Sequence, residues 1–211
     1  MLKANIAVLV SGGGTNLQQL LDAERDGRLA PGHICVVISD HADAYALTRA
    51  KERGVPTAVV CRKDCADAAD FEARINAILD EYGIQLIVLG GFLTILSADF
   101  TARWPKQIIN VHPSLIPSFC GKGYYGLKVH EAALGYGVKV TGATVHFVNE
   151  VPDGGEIILQ KAVEVLPGDT PEILQKRVME QAEWVLLPKA AQLLSADIVK
   201  KMEEKECLEK E

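Results

Sequence analysis

The fold is decided first by residues 5–17, which read NIAVLVSGGGTNL. The apolar run 5–10 predicts a buried strand, and the apolar spacing over 16–28 predicts a helix. Three glycines at their junction, residues 12–14, allow a tight turn and let a ligand approach the backbone closely. The chain therefore opens with a strand, a glycine loop and a helix, the first half of a βαβ unit.

The same alternation continues through the first half of the chain. The pattern predicts strands at 33–39, 57–61, 85–89 and 106–111, and helices at 44–53, 69–82 and 97–104. Strands that are apolar throughout are typical of a parallel sheet whose two faces are covered by helices. We therefore predict an α/β fold with a doubly wound, mainly parallel sheet.

The second half changes character. Two long β-rich runs, 138–148 and 156–166, predict an antiparallel extension of that sheet. Thr170, Pro171 and Glu172 then form a strong helix start. No linker divides the chain, so we expect one domain over 1–200. The mostly charged stretch from Lys200 predicts a frayed or disordered tail, with 201–211 as the tail proper.

Bulk properties exclude several classes of protein. The 211 residues carry a formal net charge of -6 and no dense basic stripe, which argues against a nucleic-acid partner. No signal peptide and no membrane-spanning run are evident. The five cysteines show no metal-binding spacing, so we expect reduced thiols, a cytoplasmic location and no metal.

The stretch most suggestive of chemistry is 110–114, Asn-Val-His-Pro-Ser. Residues i and i+2 of a strand point the same way, so Asn110 and His112 can face one pocket. Pro113 cannot extend the ladder, so the strand ends there. An amide donor beside a group that exchanges protons near pH 7 suits acyl-type transfer. The alternative is an Asn that caps a turn and a His that is merely packed.

Two further segments bear on this choice. The glycine loop at a helix start favours one phosphate, because its spacing matches neither the dinucleotide pattern nor the P-loop. The alternative there is a plain turn capped by Thr15 or Asn16. Asp153, followed by two glycines, is either simple turn chemistry or a carboxylate that raises the pKa of His112 and relays a proton.

Together these segments resemble the formyltransferase family that uses 10-formyltetrahydrofolate, and within it the small stand-alone branch that formylates glycinamide ribonucleotide. The matching stretches cover nearly the whole chain: SGGGTNLQ at 11–18, GGFLTILS at 90–97, INVHPSLIPSF at 109–119, GATVHFVNEVPDGGEIILQ at 142–160, and the late helix with Glu183 and Pro188.

The resemblance implies a role for each matching residue. Asn110 would stabilise the tetrahedral oxyanion, His112 would handle the proton, and Asp153 would orient or protonate His112. The substrate phosphate would be held by Gly13, Gly14, Thr15 and Asn16, and the ribose hydroxyls by Glu183. The pterin slot would be lined by Phe92, Leu93, Thr94, Ile95 and Leu96, and by the loop 148–153 with Val148, Asn149 and Val151.

The implied reaction moves a formyl group from 10-formyltetrahydrofolate to the amine of phosphoribosylglycinamide, in purine biosynthesis. The half of the chain up to about residue 105 would bind the phosphoribosyl substrate, and the remainder would bind folate, in a monomer or homodimer. Neither metal, nucleic acid nor membrane is implied. The alternatives are a hydrolase of the same folate, a formyltransferase acting on another amine, and a non-catalytic folate- or nucleotide-binding module.

The chain departs from the family pattern at two basic positions and in one loop. Many relatives carry Arg where Thr94 stands, and another Arg near Ala68. Four residues are candidates to replace these charges: Arg62, Lys63, Lys122 and Lys128. The loop 120–126 is long and contains three glycines, which predicts either a mobile lid or a plain surface loop.

Overall fold

The structure is a computed structural model that describes residues 2–208. The chain divides into two compact units, one formed by Met1–Leu96 with Ala191–Glu211 and the other by Ser97–Ala190.

The first unit contains four strands, in the order β3-β2-β1-β4. Its elements are β1 (Ala4–Val10), α1 (Thr15–Arg25), β2 (Gly32–Ser39), α2 (Tyr45–Glu52), β3 (Thr57–Val59), α3 (Ala68–Glu81) and β4 (Leu86–Leu89), with a 3₁₀ turn at Arg62–Asp64. β1 pairs in parallel with β2 and with β4, and β2 pairs in parallel with β3. The predicted parallel α/β arrangement is therefore confirmed.

The strand order creates a switch point beside β1. The chain runs outward from β1 to β3 and then returns to place β4 on the other side of β1. Right-handed crossovers on the two sides of β1 cover opposite faces of the sheet. In open α/β sheets the crevice at such a point, beyond the carboxyl ends of the strands, binds ligands. The glycine loop after β1 lies at this crevice.

The second unit is built on an antiparallel ladder. Its elements are α4 (Ala98–Arg103), β5 (Ile108–His112), α5 (Leu127–Tyr136), β6 (Val140–Phe147), β7 (Ile157–Glu164), α6 (Pro171–Val178), a π-helical turn (Met179–Glu183) and the start of α7 (Trp184–Leu208). β6 pairs antiparallel with both β5 and β7, as predicted for the extension. The register places Asn110 opposite His146 and His112 opposite Thr144.

Local signals in the sequence explain most element boundaries. Gly54 and Gly83 follow α2 and α3 with φ of 71° and 56°, the left-handed conformation that ends a helix. The Thr170 side chain accepts a hydrogen bond from the Ile173 N–H, and Pro171 opens α6.

The predicted irregular tail was wrong over 200–208, because α7 continues to Leu208. The pattern missed that this segment is still anchored on one side. The Gln85 side chain contacts the sulfur of Met202, and Lys200 pairs with Glu204 one turn later. Residues 209–211 of the expected tail lie outside the described residues. No helix within 2–208 has the length and apolar character needed to cross a membrane.

Candidate active site

Asn110 lies near the end of β5, directly across the ladder from His146. Its carboxamide nitrogen is 3.3 Å from His146 Nε2. The same ring nitrogen is 3.5 Å from Asp153 Oδ1, and His146 Nδ1 is held by the Phe147 carbonyl at 2.8 Å. His146 therefore links the Asn110 amide to the Asp153 carboxylate.

His112, the last residue of β5, is almost fully buried. Its Nε2 is 2.9 Å from the Phe119 carbonyl oxygen, which can only accept, so Nε2 carries the proton of the neutral ring. Its Nδ1 lies 3.4 Å from Asp153 Oδ2. Nδ1 is therefore the nitrogen at which His112 can gain and lose a proton.

The loop after β5 is fixed in place by Thr144. The Thr144 hydroxyl donates to the Ser114 carbonyl at 2.7 Å and accepts from the Ile116 N–H and from the Gln160 side chain. Phe119 follows with φ of 49°, a conformation that costs an aromatic residue about 1–3 kcal/mol. The fold thus holds a strained residue where its carbonyl fixes the His112 ring.

The turn that carries Asp153 is specified by both of its glycines. A Cβ at Gly155 would lie 1.7 Å from the Phe147 carbonyl oxygen, and one at Gly154 would lie 2.7 Å from the Val151 Cβ. Asp153 itself has φ of 57°, which Asp tolerates better than most residues. The Gly121 N–H donates to Asp153 Oδ2 at 2.8 Å, so the carboxylate is held from a second loop.

The geometric prediction for Asn110, His112 and Asp153 is confirmed, because the three side chains converge with His146 in one cluster. We call these four residues, which are our candidates for catalysis, the catalytic cluster. The convergence uses pairing across β5 and β6, which the spacing within one strand could not show.

Asp153 acts on the pKa of His112 in the expected direction, but burial outweighs it. Burial lowers the pKa of His112 below its ordinary value, although the Asp153 charge and the Phe119 carbonyl both act to raise it. Burial acts to raise the pKa of Asp153, but His146, His112 and the Gly121 N–H together lower it by more, so the net pKa lies below its ordinary value. At neutral pH the cluster therefore holds an ionised Asp153 and a neutral His112.

Two histidines near this site were missed by sequence reasoning. His146 lies in the β-rich run 138–148 that was predicted to extend the sheet, and an imidazole in that run was the signal that could have found it. His130, on α5, is fully buried, and both of its ring nitrogens lack a hydrogen-bond partner among residues 2–208. Burial, together with the charge of His112, lowers the pKa of His130 to about 4.

The glycine loop belongs to the first unit and is exposed. Gly14 caps α1 with φ of 71°, and a Cβ there would lie 2.6 Å from the Ala46 Cβ. No Thr15 or Asn16 side chain caps the helix, so the alternative of a side-chain-capped turn is not what forms. A Cβ at Gly12 or Gly13 would meet nothing within 4 Å, so packing does not require these two glycines. Both positions leave the loop backbone open to approach.

The loop after β4 joins the glycine loop at the switch point. The Ser11 N–H donates to the Gly91 carbonyl, and the Leu93 N–H donates to the Ser11 hydroxyl at 2.9 Å. Thr94 donates to a buried carboxylate, Asp40, at 2.8 Å, and the other oxygen of Asp40 contacts His41. Thr94, where the resemblance led us to expect Arg, is therefore anchored by a buried carboxylate.

Within residues 92–96, which were predicted to line the pterin slot, some side chains are buried and others are exposed. Phe92 and Leu96 are buried in the core, whereas Leu93 and Ile95 are 65% and 67% exposed. A ligand can therefore reach mainly the second pair. In the second unit, Val151 is also exposed, and its N–H is held by the Asn149 side chain at 3.0 Å. Val148 is bound through its N–H to the Ile108 carbonyl.

Glu183 ends the π-helical turn between α6 and α7 and is buried. Such turns are rare in proteins overall, and those that occur are often found at functional sites. Of the candidate replacements for the family arginines, Lys128 is bound to the Tyr125 hydroxyl at 3.0 Å, and Arg62 stacks on Phe71. In the part of the chain that the structure describes, no group of His, Cys, Asp and Glu side chains is arranged to hold a metal.

Comparison with known proteins decides the family. The Formyl transferase family model matches residues 4–204. The chain belongs to the formyl transferase family. It is 43% identical over 183 residues to a protein of Haemophilus influenzae named phosphoribosylglycinamide formyltransferase, covering 87% of this chain and 83% of that protein.

Two further proteins are similar to most of this chain. A trifunctional purine biosynthetic protein of Bos taurus is 43% identical over 94% of this chain, which spans only 19% of that protein's length. A crystal structure of glycinamide ribonucleotide transformylase 1 from Symbiobacterium toebii superposes with a TM-score of 0.86 at 42% identity, over 92% of this chain and 89% of that one.

Proposed function

We propose that this protein transfers the formyl group of 10-formyltetrahydrofolate to the glycinamide amine of phosphoribosylglycinamide, a step of purine biosynthesis. The observation that carries this proposal is the catalytic cluster, in which an amide donor and a neutral imidazole on a strand meet an ionised carboxylate from a nearby turn. The similarity to a named bacterial enzyme over most of both chains supports the choice of substrates.

The chemistry follows from the charge states of the cluster. The substrate amine attacks the formyl carbon, and a tetrahedral intermediate with a negative oxygen forms. The Asn110 amide, oriented by His146, donates a hydrogen bond to that oxygen. His112 accepts the surplus amine proton at Nδ1, and Asp153, 3.4 Å away, stabilises the resulting imidazolium.

Collapse of the intermediate completes the transfer. The new bond joins the amine nitrogen to the formyl carbon, and the bond to N10 of the folate breaks. His112 returns its proton to N10, so the imidazole ends neutral as it began. The low pKa of His112 suits this cycle, because a neutral ring is available to accept the proton at pH 7.

We assign each binding role to named residues. The glycine loop with Gly13, Gly14, Thr15 and Asn16 would hold the substrate phosphate, and Glu183 the ribose hydroxyls. Leu93, Ile95 and Val151 present exposed apolar side chains for the folate rings. Both substrates are small molecules, 10-formyltetrahydrofolate acts as cosubstrate, and we place the reaction in the cytoplasm.

The deciding experiment is a turnover assay of the full chain with both substrates. We expect formylated nucleotide and tetrahydrofolate to form in equal amounts. Asn110→Ala and His112→Ala variants should lose product formation while binding folate, which would tie turnover to the cluster. Folate deformylation with water alone would favour the hydrolase, and formylation of a different amine would favour a related transferase. Binding of both ligands without turnover would leave only a binding module.

A further inference from the structure

The carbonyl groups of Gly12 and Gly13 in the glycine loop are turned toward α2. The Gly12 carbonyl accepts from the Ala46 N–H at 3.0 Å, and the Gly13 carbonyl accepts from Arg49 Nε at 2.8 Å. In a trans peptide the N–H points opposite to the carbonyl of the same peptide group. The N–H groups of Gly13 and Gly14 therefore point away from α2, toward the open side of the loop.

The Arg49 guanidinium is itself held on two further sides. Its Nη1 donates to the Gln18 side chain at 3.0 Å, and its Cζ lies 5.0 Å from the centre of the Tyr45 ring. Gln18 in turn contacts Asp22. A cation is thus fixed behind the peptide group whose N–H faces outward.

We infer that Arg49 is a positioning residue for the substrate phosphate, acting through the Gly13–Gly14 peptide rather than by touching the ligand. The inference rests on the proposed function, in which the glycine loop binds that phosphate. Donation to the Gly13 carbonyl fixes the plane of the peptide. It also polarises the group, which makes the Gly14 N–H a stronger donor to an anion. The positive charge adds attraction at short range.

This role accounts for a feature that the fold leaves unexplained. Gly13 has open space around its Cβ position, so its glycine does not serve packing. A peptide that must lie flat against a phosphate does require a small residue on that side. Arg49 on the opposite side of the same peptide completes a site made of backbone donors backed by a cation.

The test compares two ligands across four proteins: wild type, Arg49→Met, Arg49→Lys and Arg53→Met. Arg53 is the matched control, because it lies four residues later, at the C-terminal cap of α2, and pairs with Asp22 rather than with the loop. The ligands are phosphoribosylglycinamide and its dephosphorylated nucleoside, measured by calorimetry. A hydrogen bond to a charged group is worth roughly 10- to 150-fold in affinity, and an indirect effect should reach about tenfold.

We expect Arg49→Met to weaken the nucleotide about tenfold and leave the nucleoside unchanged. Arg49→Lys, which keeps the charge but not the fork of donors, should fall between wild type and Arg49→Met. Arg53→Met should bind both ligands as wild type does. In turnover, Arg49→Met should raise the KM for the nucleotide while kcat and the KM for the formyl donor stay near wild type.

Other outcomes separate the two levels of the inference. If wild type itself binds nucleotide and nucleoside equally, the proposed phosphate role of the loop fails. If wild type prefers the nucleotide and Arg49→Met keeps the full preference, only the role of Arg49 fails. Equal weakening of both ligands in Arg49→Met would show that Arg49 has only a structural role. If Arg49→Lys binds the nucleotide as weakly as Arg49→Met does, the positive charge by itself does not contribute to phosphate binding.

Discussion

The catalytic cluster is built from side chains, whereas the glycine loop is built from backbone groups. The cluster is made of side chains on two paired strands and in the turn that carries Asp153, where that residue has a left-handed conformation. The loop is exposed and made of backbone, with two glycines that packing does not demand. The fold determines the geometry of the first region, whereas packing does not explain Gly12 and Gly13 in the second, and we propose that phosphate binding does.

This difference says where a mutation should act. A change in the cluster alters charge states that burial has set, so it should affect chemistry and pH dependence. A change in the loop alters access to peptide groups, so it should affect the binding of one substrate. Predictions that break either expectation would remove the distinction.

Asp153→Asn is expected to have the largest effect. Asn tolerates the left-handed backbone of this turn as Asp does, so the fold should be preserved. Loss of the carboxylate removes the partner of the protonated His112, and kcat should fall about 10²- to 10⁴-fold with folate affinity little changed. Because Asp153 raises the pKa of His112, its removal should also move the acid limb of the kcat profile to lower pH.

The measurements are single-turnover rates between pH 5 and 8 and folate titrations. A variant whose defect is confined to folate affinity, with chemistry intact, would place Asp153 in binding instead. An acid limb that moved upward would contradict the assigned charge interaction.

Two adjacent glycines provide the matching test in the loop. Gly14→Ala adds a Cβ 2.6 Å from Ala46 at a φ of 71°. The backbone strain and the overlap together should cost about 2–5 kcal/mol of unfolding free energy. Gly13→Ala meets no neighbour within 4 Å, so its stability should stay within about 0.5 kcal/mol of wild type while nucleotide affinity falls. Urea unfolding and calorimetry measure the two quantities, and a Gly13→Ala protein with unchanged nucleotide affinity would argue against backbone contact.

The same contrast explains what could be predicted from sequence. Local patterns were enough for the strand–helix alternation, the parallel sheet and the Asn110–His112 pair, because each depends on neighbours in the chain. The helix stops at Gly54 and Gly83 were read from one residue each, since only backbone conformation is involved.

What the sequence could not supply depends on distant neighbours. The pairing of Asn110 with His146 joins positions 36 residues apart, and the hold of Thr144 on the motif loop is similarly remote. The net shift in the pKa of His112 could not be read from the sequence, because the Asp153 charge is visible there while the depth of burial is not. The helical residues 200–208 were missed because a charged composition outweighed contacts made by one face.

His130 tests how far burial alone sets charge states beside the cluster. An unfolded His takes its proton near pH 6.5, but folded His130 does so only near pH 4. Between those values the unfolded state binds more protons, so stability falls as pH decreases, by up to about 3 kcal/mol from this group. His130→Leu should remove that part of the decrease. Urea unfolding at pH 7.5, 6, 5 and 4.5 measures it, and parallel curves for both proteins would refute a buried neutral His130.

Thr94→Val is expected to have the smallest effect. It tests whether a side-chain hydrogen bond also positions part of the first unit. The Thr94 hydroxyl is a donor to Asp40, whose side chain is 4% exposed. Its loss leaves one carboxylate oxygen unpaired, at a cost of about 1–3 kcal/mol, whereas Thr94→Ser keeps the donor and should melt near wild type. Since the same bond anchors the segment that exposes Leu93 and Ile95, the valine variant should also bind the formyl donor more weakly than the serine one. Equal stability and equal folate affinity in both variants would show that the Thr94–Asp40 hydrogen bond does not position this segment.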